Sequence, residues 1–215
     1  GKTTFMRILA TLLQPSSGRI SVFGHDLIRD RQAIRALLGY LPQEFGFYPE
    51  LTATECLDYL ALLSGIKSAK DRAIKIRSLL ERVNLWDVQG ERIKTFSGGM
   101  KQRLGIAQML LNDPRLLIVD EPTAGLDPQE RVSFRDLVGQ LCEGNENRVI
   151  LISTHIVDDL AYIASNIMVL NKGHLSYDAA AVLTYIGGAE FASRGGVTAE
   201  AALLGPAISR DTYYC

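Results

Sequence analysis

The sequence predicts an α/β fold built on a parallel sheet, and three observations support this. Leu116–Asp120 and Val149–Ser153 are short apolar runs, typical of strands buried on both faces. Residues 44–96 show helical apolar spacing and no strand pattern, which predicts a small helical insertion. The chain also begins with residues of phosphate-loop type that run into a helix.

Composition narrows the class of protein. The 215 residues suffice for one large domain or two small ones, and 47% hydrophobic content provides a core. A formal net charge of −1 argues against a broad nucleic-acid surface, so no nucleic-acid partner is expected. The three widely spaced cysteines form no zinc pattern and indicate a reducing cytosolic compartment. No apolar run reaches the roughly 20 residues that span a bilayer. Any membrane role is therefore expected to depend on a partner.

The most informative stretch covers residues 116–127, where a buried strand ends in two acids. Asp120 and Glu121 lie directly before Pro122, which disfavours the helical region for Glu121, so the chain is expected to stay extended there. Ligands of open parallel sheets bind at the carboxyl ends of the strands, and paired carboxylates there suit magnesium and a polarised water. A simpler alternative is that Asp120 merely ends a strand.

The first four residues match the end of a phosphate-binding loop. In that pattern Lys2 reaches the β- and γ-phosphates and Thr3 binds magnesium, with Thr4 placed for a further phosphate contact. The match is short, and alone it is weak. The helix that follows is expected to bury an apolar face formed by Phe5, Ile8, Leu9, Leu12 and Leu13.

Between these motifs the pattern predicts a strand at 19–23, a turn that contains His25, a helix near 30–38 and a strand from 38 to Gln43. The side-chain oxygen of Gln43 could contact a metal or its water, although a solvated loop residue is the simpler alternative. Helices are predicted at about 53–64 and 69–84, the first with a capping pattern from Thr52 to Glu55.

A second phosphate site is predicted at residues 97–99. Ser97 is a good N-cap, and Gly98 and Gly99 let the backbone approach a ligand before a clear helix. A helix N-terminus of this kind is an anion site, although a plain capped helix is the alternative. One nucleotide does not need two such sites in one chain.

Taken in order, GKTT, LPQ, SGGMKQR, LLIVDEP, AGLD and ISTH resemble the nucleotide-binding domain of ABC ATPases, ABC transporters in particular. The resemblance covers residues 1–178, with a helical subdomain at about 44–113, and leaves 179–215 as an Ala/Gly-rich tail. It implies a P-loop NTPase-type core sheet, ATP and Mg²⁺ as cofactors, and ATP hydrolysis. It also implies two partners, a second ABC ATPase domain paired head to tail and a transmembrane permease subunit. The chain itself is then expected at the cytoplasmic face of the cell membrane, as a peripheral subunit.

The resemblance also implies a role for each matching residue. Glu121 polarises the attacking water and His155 contacts the γ-phosphate. The residues implied to contact magnesium are Thr3, Gln43 and Asp120. The implied ATP-binding residues are Gly1, Lys2, Thr3, Thr4, Gln43, Ser97, Gly98, Gly99 and Asp127.

Two departures from the family pattern matter. Phe96 and Met100 stand where the usual LSGGQ signature has leucine and glutamine. The resulting motif resembles that of bacterial drug, antibiotic and polysaccharide exporters. The strands, adenine-stacking aromatic residue and further loop glycines that precede GKTT in the family are missing. The chain is therefore expected to be truncated and to bind ATP weakly or not at all. The alternatives are a non-catalytic remnant and a soluble, non-transport ABC ATPase.

After His155 the pattern predicts a helix at 156–164, then a hairpin with strands at 167–170 and 174–177, as in the family. Beyond residue 178 no family motif is visible. That segment is expected to be an accessory end, a loosely ordered tail or sequence foreign to the domain.

Overall fold

The structure is a computed structural model that describes residues 1–142, 147–156, 164, 166–171, 174–180 and 201–204. Within this part of the chain the helices are α1 (Lys2–Leu9), α2 (Arg31–Leu37), α3 (Ala53–Leu63), α4 (Ala69–Arg82), α5 (Gly98–Met109) and α6 (Pro128–Cys142). Two short 3₁₀ helices lie between α4 and α5, at Trp86–Val88 and Ile93–Thr95.

The strands of the described part are β1 (Ser21–Val22), β2 (His25–Asp26), β3 (Leu38–Leu41), β4 (Leu116–Asp120), β5 (Val149–Ser153), β6 (Asn166–Asn171), β7 (His174–Ala180) and β8 (Ala201–Leu204). Six of them form one sheet in the order β3-β4-β5-β8-β6-β7. The neighbours β3, β4 and β5 run parallel, whereas β8 is antiparallel to both β5 and β6. The predicted α/β class is confirmed.

Helices cover both faces of the sheet, and β4 shows this most clearly because all five of its residues are buried. Leu117 and Val119 face a core with α3, α4, α5 and α6. Leu116 and Ile118 face a second core that contains Met6 of α1 and Ile34 of α2. Alternate residues of a strand point to opposite faces, so Asp120 continues the face of Ile118, toward α1.

Several predicted elements of the helical region are confirmed. The capping box at α3 is present: Glu55 N–H donates to Thr52 Oγ1 (3.2 Å), and Thr52 N–H donates to the Glu55 carboxylate (2.8 Å). Helix α4 buries Ile76, Leu79 and Leu80 as its spacing indicated. The boundaries of the helical subdomain, about 44–113, stay a prediction.

The prediction of a buried apolar face on α1 was wrong for its last two residues, Leu12 and Leu13. Leu12 and Leu13 lie beyond the helix and are exposed, because Thr11 adopts a left-handed φ of 61° that stops it. The N–H of Leu12 then donates to the carbonyl of Arg7 (2.9 Å), a Schellman-type end. Arg35 of α2 stabilises the left-handed Thr11, because the Arg35 Nε donates a hydrogen bond to Thr11 Oγ1 at 2.7 Å.

The strand predicted at 19–23 is shorter, and His25 lies in the partner strand β2 rather than in a turn. The predicted hairpin at the C-terminal side is confirmed as β6 and β7. The helix predicted at 156–164 falls on residues outside the described part. Two parts of the predicted tail after residue 178 belong to strands. Strand β7 extends to Ala180, and Ala201–Leu204 form β8, which lies between β5 and β6 in the sheet.

No helix of the described residues is both long enough and apolar enough to cross a membrane.

The contact between α5 and the sheet generates a stability prediction at Gly39 of β3. A Cβ there would lie 2.5 Å from Met109 Cγ and 2.7 Å from the Met109 carbonyl oxygen. Because that oxygen belongs to the backbone, it cannot move aside alone. Gly39→Ala is expected to lower the free energy of unfolding by about 1–3 kcal/mol in urea denaturation.

Gly139→Ala is the matched control, because a Cβ at this position in α6 meets no atom within 4 Å. It is expected to be neutral or to stabilise by about 0.5–1 kcal/mol, since alanine favours a helix interior. Equal unfolding midpoints for Gly39→Ala and the parent chain would contradict this packing of α5 on β3.

Candidate functional site

The carboxyl ends of three parallel strands bring the predicted polar residues to one edge of the sheet. The register pairs Leu41 with Val119 and Asp120 with Ser153, so β3, β4 and β5 end side by side. Gln43 follows β3 and is exposed. Glu121 and His155 follow the ends of β4 and β5. This edge is where ligands of parallel sheets bind.

Ser153, at the end of β5, ties the two acids together. Glu121 N–H donates to the Ser153 carbonyl at 3.0 Å and to its hydroxyl at 3.1 Å. The Ser153 hydroxyl donates to Asp120 Oδ1. Ser153 and Asp120 are completely buried. These bonds fix the Asp120 carboxylate and the Glu121 backbone relative to β5, the strand that His155 follows.

The backbone at Glu121 differs from the expected extended conformation. Its φ is +49°, in the left-handed region that non-glycine residues rarely adopt. The prediction failed because a following proline favours the extended region only as a tendency, and here two hydrogen bonds from Glu121 N–H to Ser153 hold the residue in the left-handed region. Ala124 N–H closes the turn by donating to the Glu121 carbonyl at 3.2 Å. Backbone strain of this kind costs about 1–3 kcal/mol and is common at functional sites.

The side chain of Glu121 lies between two cationic or potentially cationic groups. Its Oε1 is 2.8 Å from Lys2 Nζ, and its Oε2 is 2.7 Å from His155 Nδ1. Only 9% of the Glu121 side chain is exposed. Burial alone would raise the pKa of Glu121, but hydrogen bonds and charge from Lys2 and His155 outweigh it. The pKa lies below its ordinary value of 4.5, so the carboxylate is ionised at neutral pH.

The fit to magnesium can be judged at Asp120. Its Oδ2 is buried and has no hydrogen-bond partner among the residues that the structure describes, which leaves one carboxylate oxygen free for a cation. No cluster of three or more His, Cys, Asp or Glu suited to a metal occurs among the described residues. Mg²⁺ typically binds one or two carboxylates together with substrate phosphates rather than a full protein cage. The donor set therefore fits a magnesium ion that arrives with a nucleotide.

A second group of predicted residues lies at the N-termini of α5 and α6. Ser97 caps α5, as predicted, by accepting from Met100 N–H at 3.1 Å. Asp127 accepts from Glu130 N–H at 2.8 Å and so caps α6. Glu130 Oε1 accepts from the Ser97 hydroxyl and from Gly99 N–H, both at 3.1 Å.

The remaining predicted residues make fewer contacts in the free chain. Thr3 is half-buried in the first turn of α1, and Gly1, Thr4 and Gly98 are exposed. Lys2, Glu121 and His155 are thus brought together, as are Ser97, Gly99 and Asp127. Their individual roles stay predictions.

Sequence reasoning missed two residues of this site. Ser153 was read only as part of an apolar strand, although a hydroxyl directly before Thr154 and His155 was a usable signal. Glu130 was missed together with all of α6. The sequence from Asp127 through Pro128 is a helix-start signal, with an N-cap acid and proline at the first helical position.

The geometry makes two anion-binding groups available. Lys2 lies at the N-terminus of α1, where the helix dipole and an ammonium group favour phosphate. Glu121 and His155 stand beside it as an acceptor and a potential donor for a water molecule. Ser97 and Gly99 supply a separate pair of donors at the start of α5.

Comparisons with known proteins agree with this geometry. A family model described as ABC transporter matches residues 1–124. An uncharacterized ABC transporter ATP-binding protein of Bacillus subtilis (strain 168), YxlF, is 40% identical over 177 residues, which are 82% of this chain and 57% of the relative. The probable multidrug ABC transporter ATP-binding protein YbhF of Escherichia coli (strain K12) is 40% identical, over 82% of this chain and 30% of the relative.

The daunorubicin resistance ATP-binding protein DrrA3 of Streptomyces coeruleorubidus is 37% identical over 81% of this chain and 54% of its own length. The chain thus spans between about a third and just over half of these relatives. A solved structure, the ATP-binding cassette MJ0796 in a dimeric post-hydrolysis state bound to ADP and Pi, has a TM-score of 0.73 at 24% identity. That likeness covers 84% of this chain and 81% of the other, and it supports the fold. The chain belongs to the ABC transporter family and carries its ATP-binding domain fold.

Proposed function

We propose that the chain binds and hydrolyses ATP to power an ABC exporter, at the cytoplasmic face of the membrane and together with a transmembrane permease. The observation that carries the proposal is the buried Glu121 carboxylate, held between Lys2 and His155 beside the unpartnered Asp120 oxygen. This arrangement matches the needs of phosphoryl transfer, which depends on positioning and charge stabilisation.

Nucleotide binding begins with an exchange of partners at Lys2. In the free chain the ammonium group pairs with Glu121 at 2.8 Å. A γ-phosphate at the start of α1 offers more negative charge, so Lys2 turns to the phosphates and releases Glu121 Oε1. Asp120 and Thr3, with Gln43 through its side-chain oxygen, would hold Mg²⁺, which would neutralise negative charge on the phosphates.

The released Glu121 is then the proton acceptor for the attacking water. Its carboxylate is ionised at neutral pH, and Ser153 fixes its backbone at the strand end. His155, exposed to the site, is placed to contact the γ-phosphate while it holds the other carboxylate oxygen. The residues therefore orient water and spread charge, without a covalent intermediate.

The donors at Ser97, Gly98 and Gly99 belong to the nucleotide of a second domain. One chain carries two anion-binding helix starts, and a head-to-tail pair of chains uses both, with Asp127 at the interface. Met100 lacks the amide of the usual glutamine, so Ser97 and backbone N–H groups carry the phosphate contact. The structural neighbour is named as a dimer, which supports the pairing of two domains.

The export direction is supported by the SGGMKQR motif and by the names of two relatives. One is named for daunorubicin resistance and another as a probable multidrug transporter protein. The permease selects the substrate, so the chemistry of the transported compound lies outside this chain.

The catalytic role of Glu121 is tested by Glu121→Gln. The amide keeps the size of the side chain but cannot accept the proton of water, so ATP turnover is expected to fall about 10²-fold to 10⁴-fold. ATP affinity measured by calorimetry is expected to stay equal or to rise, because a negative charge near the phosphates is removed. Phosphate release gives the turnover rate.

Exposed Glu91→Gln is the control for the same chemical change away from the site, and its turnover should match the parent. A Glu121→Gln chain that retains more than about a third of parental turnover would rule out this role for the acid. No turnover even in the parent chain would instead favour a non-catalytic remnant.

The shared site is tested by mixing two inactive variants, Lys2→Ala and Ser97→Asp. Aspartate still caps α5 but repels phosphate there. In a symmetric head-to-tail pair, half of randomly formed dimers contain both variants, and each such dimer has one intact site. An equal mixture should therefore recover about a quarter of parental turnover.

Dimer exchange is verified with two differently labelled chains. If mixed dimers form and turnover stays at the level of either variant alone, each chain completes its own site and the head-to-tail arrangement is wrong.

A further inference from the structure

We infer that Glu130 occupies the phosphate position at the start of α5 in the free chain and must be displaced when the partner's nucleotide binds. This inference rests on the proposed function and assigns a role to a residue that the function itself does not use. Glu130 would then set how much ATP is needed to bring two chains together.

The contacts of Glu130 are those that a phosphate oxygen would make. A single oxygen, Oε1, accepts from the Ser97 hydroxyl and from Gly99 N–H, both at 3.1 Å. The carboxyl group lies so close to the Gly99 backbone that a Cβ at that residue would overlap it. Two of the three donors of the predicted phosphate site, the Ser97 hydroxyl and Gly99 N–H, are thus already bound to an anion of the same chain.

The electrostatics explains why a carboxylate lies there. The N-terminus of the twelve-residue α5 carries partial positive charge, yet its own first turn contains no acidic residue. Glu130 supplies the missing negative charge from α6. A nucleotide phosphate would meet the same donors and also the charge of Glu130, so both anions cannot occupy the position together.

The position of Glu130 is fixed by the loop that follows Glu121. Asp127 Oδ1 accepts from Glu130 N–H at 2.8 Å and holds the first turn of α6. Between Glu121 and Asp127 the chain closes two further turns, with Ala124 N–H on the Glu121 carbonyl and Leu126 N–H on the Thr123 carbonyl. The side chain of Glu130, rather than its backbone, is therefore the part free to rotate away from α5.

A purely structural role predicts a different outcome. If Glu130 only connects α6 to α5 by hydrogen bonds, its loss lowers the stability of the domain and hinders nucleotide-driven dimerisation. If it acts as an internal competitor, loss of its charge favours phosphate binding. Glu130→Gln separates these roles, because glutamine keeps the length and the acceptor oxygen but carries no charge.

The first measurement is the ATP concentration that gives half-maximal dimerisation, determined by analytical ultracentrifugation. It is made in the Glu121→Gln chain, where bound ATP persists. Adding Glu130→Gln is expected to lower this concentration about tenfold, the order expected when a like charge beside a phosphate is removed. Exposed Asp136→Asn removes one negative charge from the same helix and should leave the concentration within about twofold.

The second measurement does not need dimerisation. Inorganic phosphate is titrated into the full chain while the NMR shift of the Gly99 amide is followed. The Glu130→Gln chain is expected to respond at about a tenfold lower phosphate concentration than the parent, with an unchanged unfolding midpoint. An equal or higher concentration for Glu130→Gln in this titration would overturn the inference.

The two measurements also separate this inference from the proposed function. If the Glu121→Gln chain does not dimerise with ATP, the proposed function fails, and the phosphate titration still decides the role of Glu130. If dimerisation occurs but Glu130→Gln leaves the required ATP concentration unchanged or raises it, the inference fails and the proposed function stands.

Discussion

The site depends on one buried carboxylate, Glu121, and on the two groups that hold it. Lys2 comes from the first helix, and His155 lies 34 residues after Glu121 in the chain, yet both contact the Glu121 side chain. A carboxylate this buried stays ionised only because these groups compensate for lost hydration. The parallel sheet is what brings α1 and the ends of β4 and β5 to one place.

A second acid makes a similar contact at the start of α5. Lys2 forms an ion pair with Glu121, and the Ser97 hydroxyl and Gly99 N–H donate hydrogen bonds to Glu130. Both anion-binding groups are thus closed by acids of the chain itself. Asp120 differs, because its second oxygen has no hydrogen-bond partner in the described part of the chain. A magnesium nucleotide would supply a cation for Asp120 and anions for the two sets of donors.

The sequence was sufficient for the elements whose pattern is strong. Leu116–Asp120 and Val149–Ser153 are apolar up to their last residue and are fully buried strands in the structure. Once two such strands are parallel, the residues after them must meet at one edge. The proximity of Glu121 and His155 was therefore predictable without coordinates, and so was the cap at Ser97.

Features that depend on contacts between distant segments were not predictable in this way. Apolar periodicity suggested a buried Leu12, whereas a left-handed Thr11, held by Arg35 of another helix, ends α1 before it. Pro122 favours an extended Glu121 but does not enforce it. Hydrogen bonds from Glu121 N–H to Ser153 select the left-handed conformation. Glu130 likewise acquires its role only because α6 packs beside the start of α5.

The most direct test of this account is the pKa of Glu121, measured by ¹³C NMR of its carboxyl carbon in the parent chain and in Lys2→Met. The account predicts a value below 4.5 in the parent and a higher value in Lys2→Met, because the ammonium group no longer stabilises the charged form. A lowered pKa means that Glu121 stabilises the fold fully above the unfolded-state value, and that this contribution is lost as the pH falls through the folded-state value. A parental value above 4.5, or one that Lys2→Met leaves unchanged, would contradict the account.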